Sequence, residues 1–99
     1  MEDLQQLGGN IELSGFSVID PGSMIILKKI IGNYAKHFSE TCNSFEKLSL
    51  TLHPADDARF SMHGEVIDNG HVYAVDHADL NVFFAADMVC KKIKHSIIN

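Results

Sequence analysis

The dipeptide Asn69-Gly70 constrains this chain more than any other pair of neighbours. It separates two alternating runs, Arg59-Phe-Ser-Met-His-Gly-Glu-Val-Ile-Asp68 and His71-Val-Tyr-Ala-Val-Asp76. A two-residue connection between twisted strands takes a type I′ turn, which needs positive φ at both central residues, and Asn followed by Gly tolerates that best. The turn also sets the register, because paired residues must then have numbers summing to 139. Val66 is therefore expected opposite Tyr73, Gly64 opposite Val75, His63 opposite Asp76 and Ile67 opposite Val72. Side chains alternate across a strand, so Phe60, Met62, Gly64, Val66, Tyr73 and Val75 share the apolar face.

A long amphipathic segment follows the hairpin. Val82, Ala85, Ala86, Val89, Ile93 and Ser96-Ile97 recur at helical spacing and predict a helix over about 79–97. Asp79 at its start and Lys91, Lys92, Lys94 and His95 near its end suit the helix dipole. Upstream, Leu27, Ile31, Tyr34, Ala35 and Phe38 form a second helical stripe, over about 23–38, after the turn chemistry of Asp20-Pro21-Gly22. Ile11-Glu-Leu-Ser14 alternates and predicts a first strand. Leu48, Leu50 and Leu52 alternate with polar partners in another strand that stops at Pro54, with Ala55-Asp-Asp-Ala58 as a loop. Residues 1–10, polar and containing Gly8-Gly9, are expected to be a flexible tail, leaving 11–99 as the single domain. The order is β-α-β-β-β-α. Strands with one apolar face and helices with one apolar stripe predict an α+β domain of two layers, two helices on one face of a four-stranded sheet.

Ninety-nine residues can bury one core without metal or disulfide help. No apolar run reaches the eighteen residues that a membrane-spanning helix needs, so no membrane partner is expected. Residues 1–10 lack the basic and apolar regions of a secretory signal. Cys42 and Cys90 have no CxxC spacing and are expected to be reduced thiols in a cytoplasmic protein.

Catalytic chemistry finds little support. Cys90 falls on the buried stripe, where it acts as a small hydrophobe and not as an activated nucleophile. No glycine-rich phosphate loop occurs, and Asp56-Asp57 sits at a loop tip. Neither enzymatic activity nor a small-molecule substrate or cofactor is expected. The six histidines raise the question of a metal. His53, His63 and Asp76 fall on the polar sheet face, with His71 and His77 near the hairpin ends. Zinc requires three or four converging ligands, and the expectation is solvated histidines, no bound ion and titration near the ordinary imidazole value.

The net charge of −5 repels a polyphosphate at long range, yet six of the eight Lys and Arg residues are segregated. Lys28, Lys29 and Lys36 lie in the first helix, and Lys91, Lys92 and Lys94 in the second. If the helices lie side by side, five of these lysines can converge on one outer surface, with Lys36 and His37 at one end. Such a surface can grip a phosphate backbone without reading sequence. It can equally serve only to keep the helices solvated.

Several segments resemble a known family, the short ribosome hibernation-promoting factors, also described as ribosome-associated sigma-modulation proteins. Ile11-Glu-Leu-Ser-Gly15 is similar to that family's opening I-x-I-S/T-G strand, and Tyr34-Ala-Lys-His-Phe38 to its L-E-K-Y-F. Asn81-Val-Phe-Phe-Ala-Ala-Asp87 stands where the family has D-M-Y-A-A-I-D, Lys91-Lys92-Ile93 where it has D-K-L, and Ser96-Ile97 where it has Q-L. The matches keep their order from residue 11 to 97. The resemblance implies a cytoplasmic protein that binds small-subunit rRNA through basic helix residues. It would lie in the channel where mRNA and tRNA pass, silencing translation in stressed or stationary cells. Lys92 and Lys36 match family lysines directly, whereas Lys28, Lys29, Lys91 and Lys94 are implicated by sharing their helices. The alternative is a divergent member that acts as a protein-interaction or self-association module, which an exposed Phe83 or Phe84 would favour.

Overall fold

The computed structural model describes residues 4–7, 10–54 and 59–98. The chain runs β1 (Leu4–Leu7), β2 (Ile11–Ser14), α1 (Pro21–Thr41), β3 (Phe45–Pro54), β4 (Phe60–Asp68), β5 (His71–Asp79) and α2 (Val82–Ile98), with a 3₁₀ turn at Phe16–Val18. The four strands and two helices expected from the sequence occur in the expected β-α-β-β-β-α order. β2 pairs parallel with β3, β3 antiparallel with β4, and β4 antiparallel with β5. The parallel pair is joined by α1, the crossover such pairs require.

One departure lies at the N-terminal end. Leu4–Leu7, expected within a tail, is a short strand that pairs antiparallel with β2 and extends the sheet to five strands. Without it β2 would present a row of unpaired backbone donors and acceptors. The loop expected at 55–58 lies outside the described residues.

The hairpin follows the predicted register throughout. Asn69 and Gly70 have φ of 53° and 81°, and the pairs run from Asp68 with His71 to Phe60 with Asp79. The start of β3 fastens the hairpin tip: Gly70 N–H donates to Glu46 Oε2 at 2.7 Å, Ser44 N–H to Asp68 Oδ1 at 2.8 Å, and Asn69 N–H to the Ser44 carbonyl at 2.9 Å.

Both helices differ from expectation at their ends. α1 starts at Pro21, whose missing N–H costs nothing in a first turn, and Asp20 accepts the Ser23 N–H at 3.0 Å. It continues past Phe38 to Thr41, and the Ser39 and Thr41 hydroxyls donate to the Lys36 and His37 carbonyls. α2 starts later than Asp79, which belongs to β5. Asn81 is the cap instead, its Oδ1 accepting the N–H groups of Phe83 at 2.8 Å and Phe84 at 3.1 Å.

The two helices cover one face of the sheet over a core that includes Leu13, Leu27, Ile31, Phe38, Leu48, Leu50, Met62, Val66, Val89 and Ile93. Gly64 sits in the middle of this face. A methyl group added there would run into Val89 Cγ1 and lie 3.0 Å from Leu50 Cδ2 and 3.2 Å from Ile93 Cδ1. The missing side chain is what lets α2 lie close to β4.

Candidate nucleic-acid interface

β5 is parallel in direction to β2 and β3, and each helix runs back across the sheet, so α1 and α2 point the same way. One contact between them is polar. Tyr34 Oη donates to Asp87 Oδ1 at 2.7 Å across the helix boundary. Burial and then this bond to a carboxylate both favour the neutral phenol, and its pKa is held above the ordinary phenol range. Lys91 approaches the other oxygen of Asp87 at 3.7 Å.

With Tyr34 and Asp87 facing each other, about 100° of rotation per residue places every lysine. Lys29 and Lys36 point outward from α1, and Lys91 points outward from α2. All three are exposed. Lys28 is exposed on the flank of α1 away from α2. Lys94, half-buried, lies on the α1 side of α2. Lys92 leaves from the opposite flank and reaches over β5, donating to the Asp76 carbonyl oxygen at 3.1 Å. Among the described residues, no carboxylate lies within ion-pair distance of Lys28, Lys29 or Lys36. The structure thus groups Lys29, Lys36 and Lys91 on one outer surface and sets Lys28 and Lys92 on its two outer flanks.

The open face of the sheet carries a different constellation. His63 Nδ1 lies 2.8 Å from Asp76 Oδ1, the pairing expected from the register, and Nε2 lies 2.9 Å from Glu65 Oε2. Glu65 was not expected, although its spacing of two residues along a strand was the available signal. The Glu65 and then the Asp76 hydrogen bonds hold the imidazolium form, so the His63 pKa is raised above its ordinary value. This corrects the expectation of an unperturbed imidazole. His53, on the neighbouring strand, takes no part in these bonds and is exposed. Among the described residues, no three His, Cys, Asp or Glu side chains are grouped as metal ligands would be.

The thiols are both buried and unpaired. Burial, with a smaller contribution from the nearby Asp87 charge, pushes the Cys90 pKa up to about 12, which disfavours the thiolate a nucleophile needs. Cys42 is raised too, by burial first and then by Asp68. Among the described residues, no helix is long and apolar enough to cross a membrane.

No protein-family model matches this chain, and no curated protein matches it. Solved structures do. The N-terminal domain of Protein Y from Thermus thermophilus superposes with a TM-score of 0.65, covering 94 % of this chain and 96 % of that one at 12 % identity. A ribosomal subunit interface protein from Coxiella burnetii superposes with a TM-score of 0.64, covering 90 % of this chain and 91 % of its own at 9 % identity. At such identities the likeness establishes a common fold. The fold implied by the motif resemblance is therefore the fold observed.

Proposed function

We propose that this chain is a cytoplasmic ribosome-associated protein that docks on small-subunit rRNA through the lysines of its two helices and silences translation under stress. The observation that carries this reading is the match, over nine-tenths of both chains, to the fold of a ribosomal subunit interface protein. Three outward lysines on the paired helices give it a mechanism. Lys29, Lys36 and Lys91 present ammonium groups on a surface where phosphates can approach without sequence readout. Apart from Glu40 on α1 and Asp87 on α2, the acidic residues that make the whole chain negative lie outside the two helices. Local charge at contact distance outweighs net charge once salt screens anything beyond about 8–10 Å.

Sedimentation of cell lysate on a sucrose gradient tests the association: the protein should travel with small subunits. With purified small subunits, neutralising three phosphates should make affinity fall roughly 20- to 40-fold between about 50 and 200 mM salt. The triple reversal Lys29→Glu, Lys36→Glu, Lys91→Glu should abolish the salt-sensitive part. Binding that ignores both salt and the reversal would remove the lysine mechanism, and absence from the small-subunit fractions would remove the ribosomal assignment.

A further inference from the structure

The exposed ring of Phe84 is left unexplained by a lysine surface alone. Phe83 beside it packs against the core, whereas Phe84 is 61 % exposed. The Asn81 cap fixes the backbone beneath Phe84 as the first turn of α2, so the ring stands on a rigid support. Seven residues on, Lys91 projects within about 20° of the same direction, roughly 10 Å along the helix. Tyr34 lies level with Asp87 and the helices run the same way. Phe84 is therefore level with a point between Lys29 and Lys36 on α1, on the outer surface that those two lysines share with Lys91. Ile26 and Leu80, both exposed, extend the apolar floor at that end. Of the nearby acids, Asp87 is held by Tyr34 and Lys91, and Glu40 lies a turn beyond Lys36.

We infer that Phe84 is a stacking platform for an unpaired RNA base whose flanking phosphates are held by Lys29, Lys36 and Lys91. The inference rests on the RNA-binding reading above and narrows it, from a phosphate backbone of any kind to a segment with at least one unstacked base. Every base offers a flat π face, so stacking on an exposed ring is sequence-tolerant, and cations around the ring match the adjoining phosphates. Protein interfaces instead deplete charge around their apolar centres. A second copy docking through this same surface would bring lysines against lysines.

The test is fluorescence anisotropy of the full chain with two labelled RNAs carrying equal numbers of phosphates, one single-stranded and one a blunt duplex. Phe84→Ala should weaken single-strand binding by between about fivefold and a hundredfold, with the salt slope and the duplex affinity unchanged. Phe84→Trp should restore single-strand binding. If Phe84→Ala binds the single strand as the unaltered chain does, while the salt slope persists, the platform is wrong and the lysine reading survives. If neither RNA binds at low salt, both fall. If Phe84→Ala leaves RNA affinity unchanged but converts a sedimenting dimer to monomer, the ring is a self-association contact and the inference is overturned.

Discussion

Tyr34 and Asp87 stand 53 positions apart in the chain and meet at 2.7 Å between the two helices. The bond ties together two helices whose buried stripes, Leu27, Ile31 and Phe38 on one and Ala85, Val89 and Ile93 on the other, already turn the lysines away from the core. Tyr34→Phe keeps the ring and removes the donor, leaving Asp87 to Lys91 and water. A hydrogen bond to a charged group contributes about 1.5–3 kcal/mol. Partial exposure at this site places the expected loss at the lower end, about 1.5–2 kcal/mol in urea unfolding. An unchanged midpoint would mean that apolar packing alone sets the helix rotation.

Gly64 provides a second check on helix placement. Gly64→Ala puts a methyl group against Val89, Leu50 and Ile93, and overpacking of this kind costs typically about 1–3 kcal/mol. Most of that cost arises because α2 must lift from β4. The chemical shifts of Val89 and Ile93 should move while those of the hairpin turn stay in place. A stability equal to that of the unaltered protein would show that α2 has slack to give.

The His63 cluster gives a pH signature. Its folded-state pKa lies above the ordinary value of 6.5. The stabilisation it contributes is therefore fully present below about pH 6.5 and is lost as pH rises through the folded value. The melting temperature of the native protein should exceed that of His63→Gln by more at about pH 5.5 than at about pH 8.5. Added salt should shrink the gap, since the side chain is about one-third exposed. A gap that does not change with pH would mean that His63 contributes packing only.

The two thiols should resist modification until the protein opens. Neither Cys42 nor Cys90 should react with iodoacetamide in minutes at neutral pH, and both should do so in denaturant. Rapid labelling of Cys90 in the folded protein would contradict its burial.

The hairpin was legible in full because Asn69-Gly70 fixes a register that every later residue inherits, His63 opposite Asp76 included. The helical stripes were legible for a similar reason, each being a local period. Leu4–Leu7 was not: Leu-Gln-Gln-Leu does not alternate, and its strand is defined by pairing with the edge of β2, ten residues or fewer along the chain. The charge of Asp79 suits a helix start, yet the residue pairs with Phe60, and its Oδ1 accepts the Asn81 N–H at 3.0 Å. The lysine surface was half legible. Sequence period says which lysines leave the core, but which flank of each helix meets the other is seen only in the contact of Tyr34 with Asp87, which no local pattern connects.

The reach of Lys92 over β5 has a separate consequence. β5 is the last strand of the sheet, and a two-residue turn at Asn69-Gly70 leaves the backbone groups of Val72, Ala74, Asp76 and Ala78 pointing away from β4. These four stretches of bare peptide are a template for a stray strand. A lysine laid across the middle of them, bonded to the Asp76 carbonyl, occupies one acceptor and plants a charge where an incoming chain would have to lie. Lys92 thus covers part of an edge that would otherwise be open to strand pairing. A charge reversal there changes colloidal behaviour at the same time as any affinity for RNA, and so Lys29, Lys36 and Lys91 are the cleaner positions at which to measure phosphate binding.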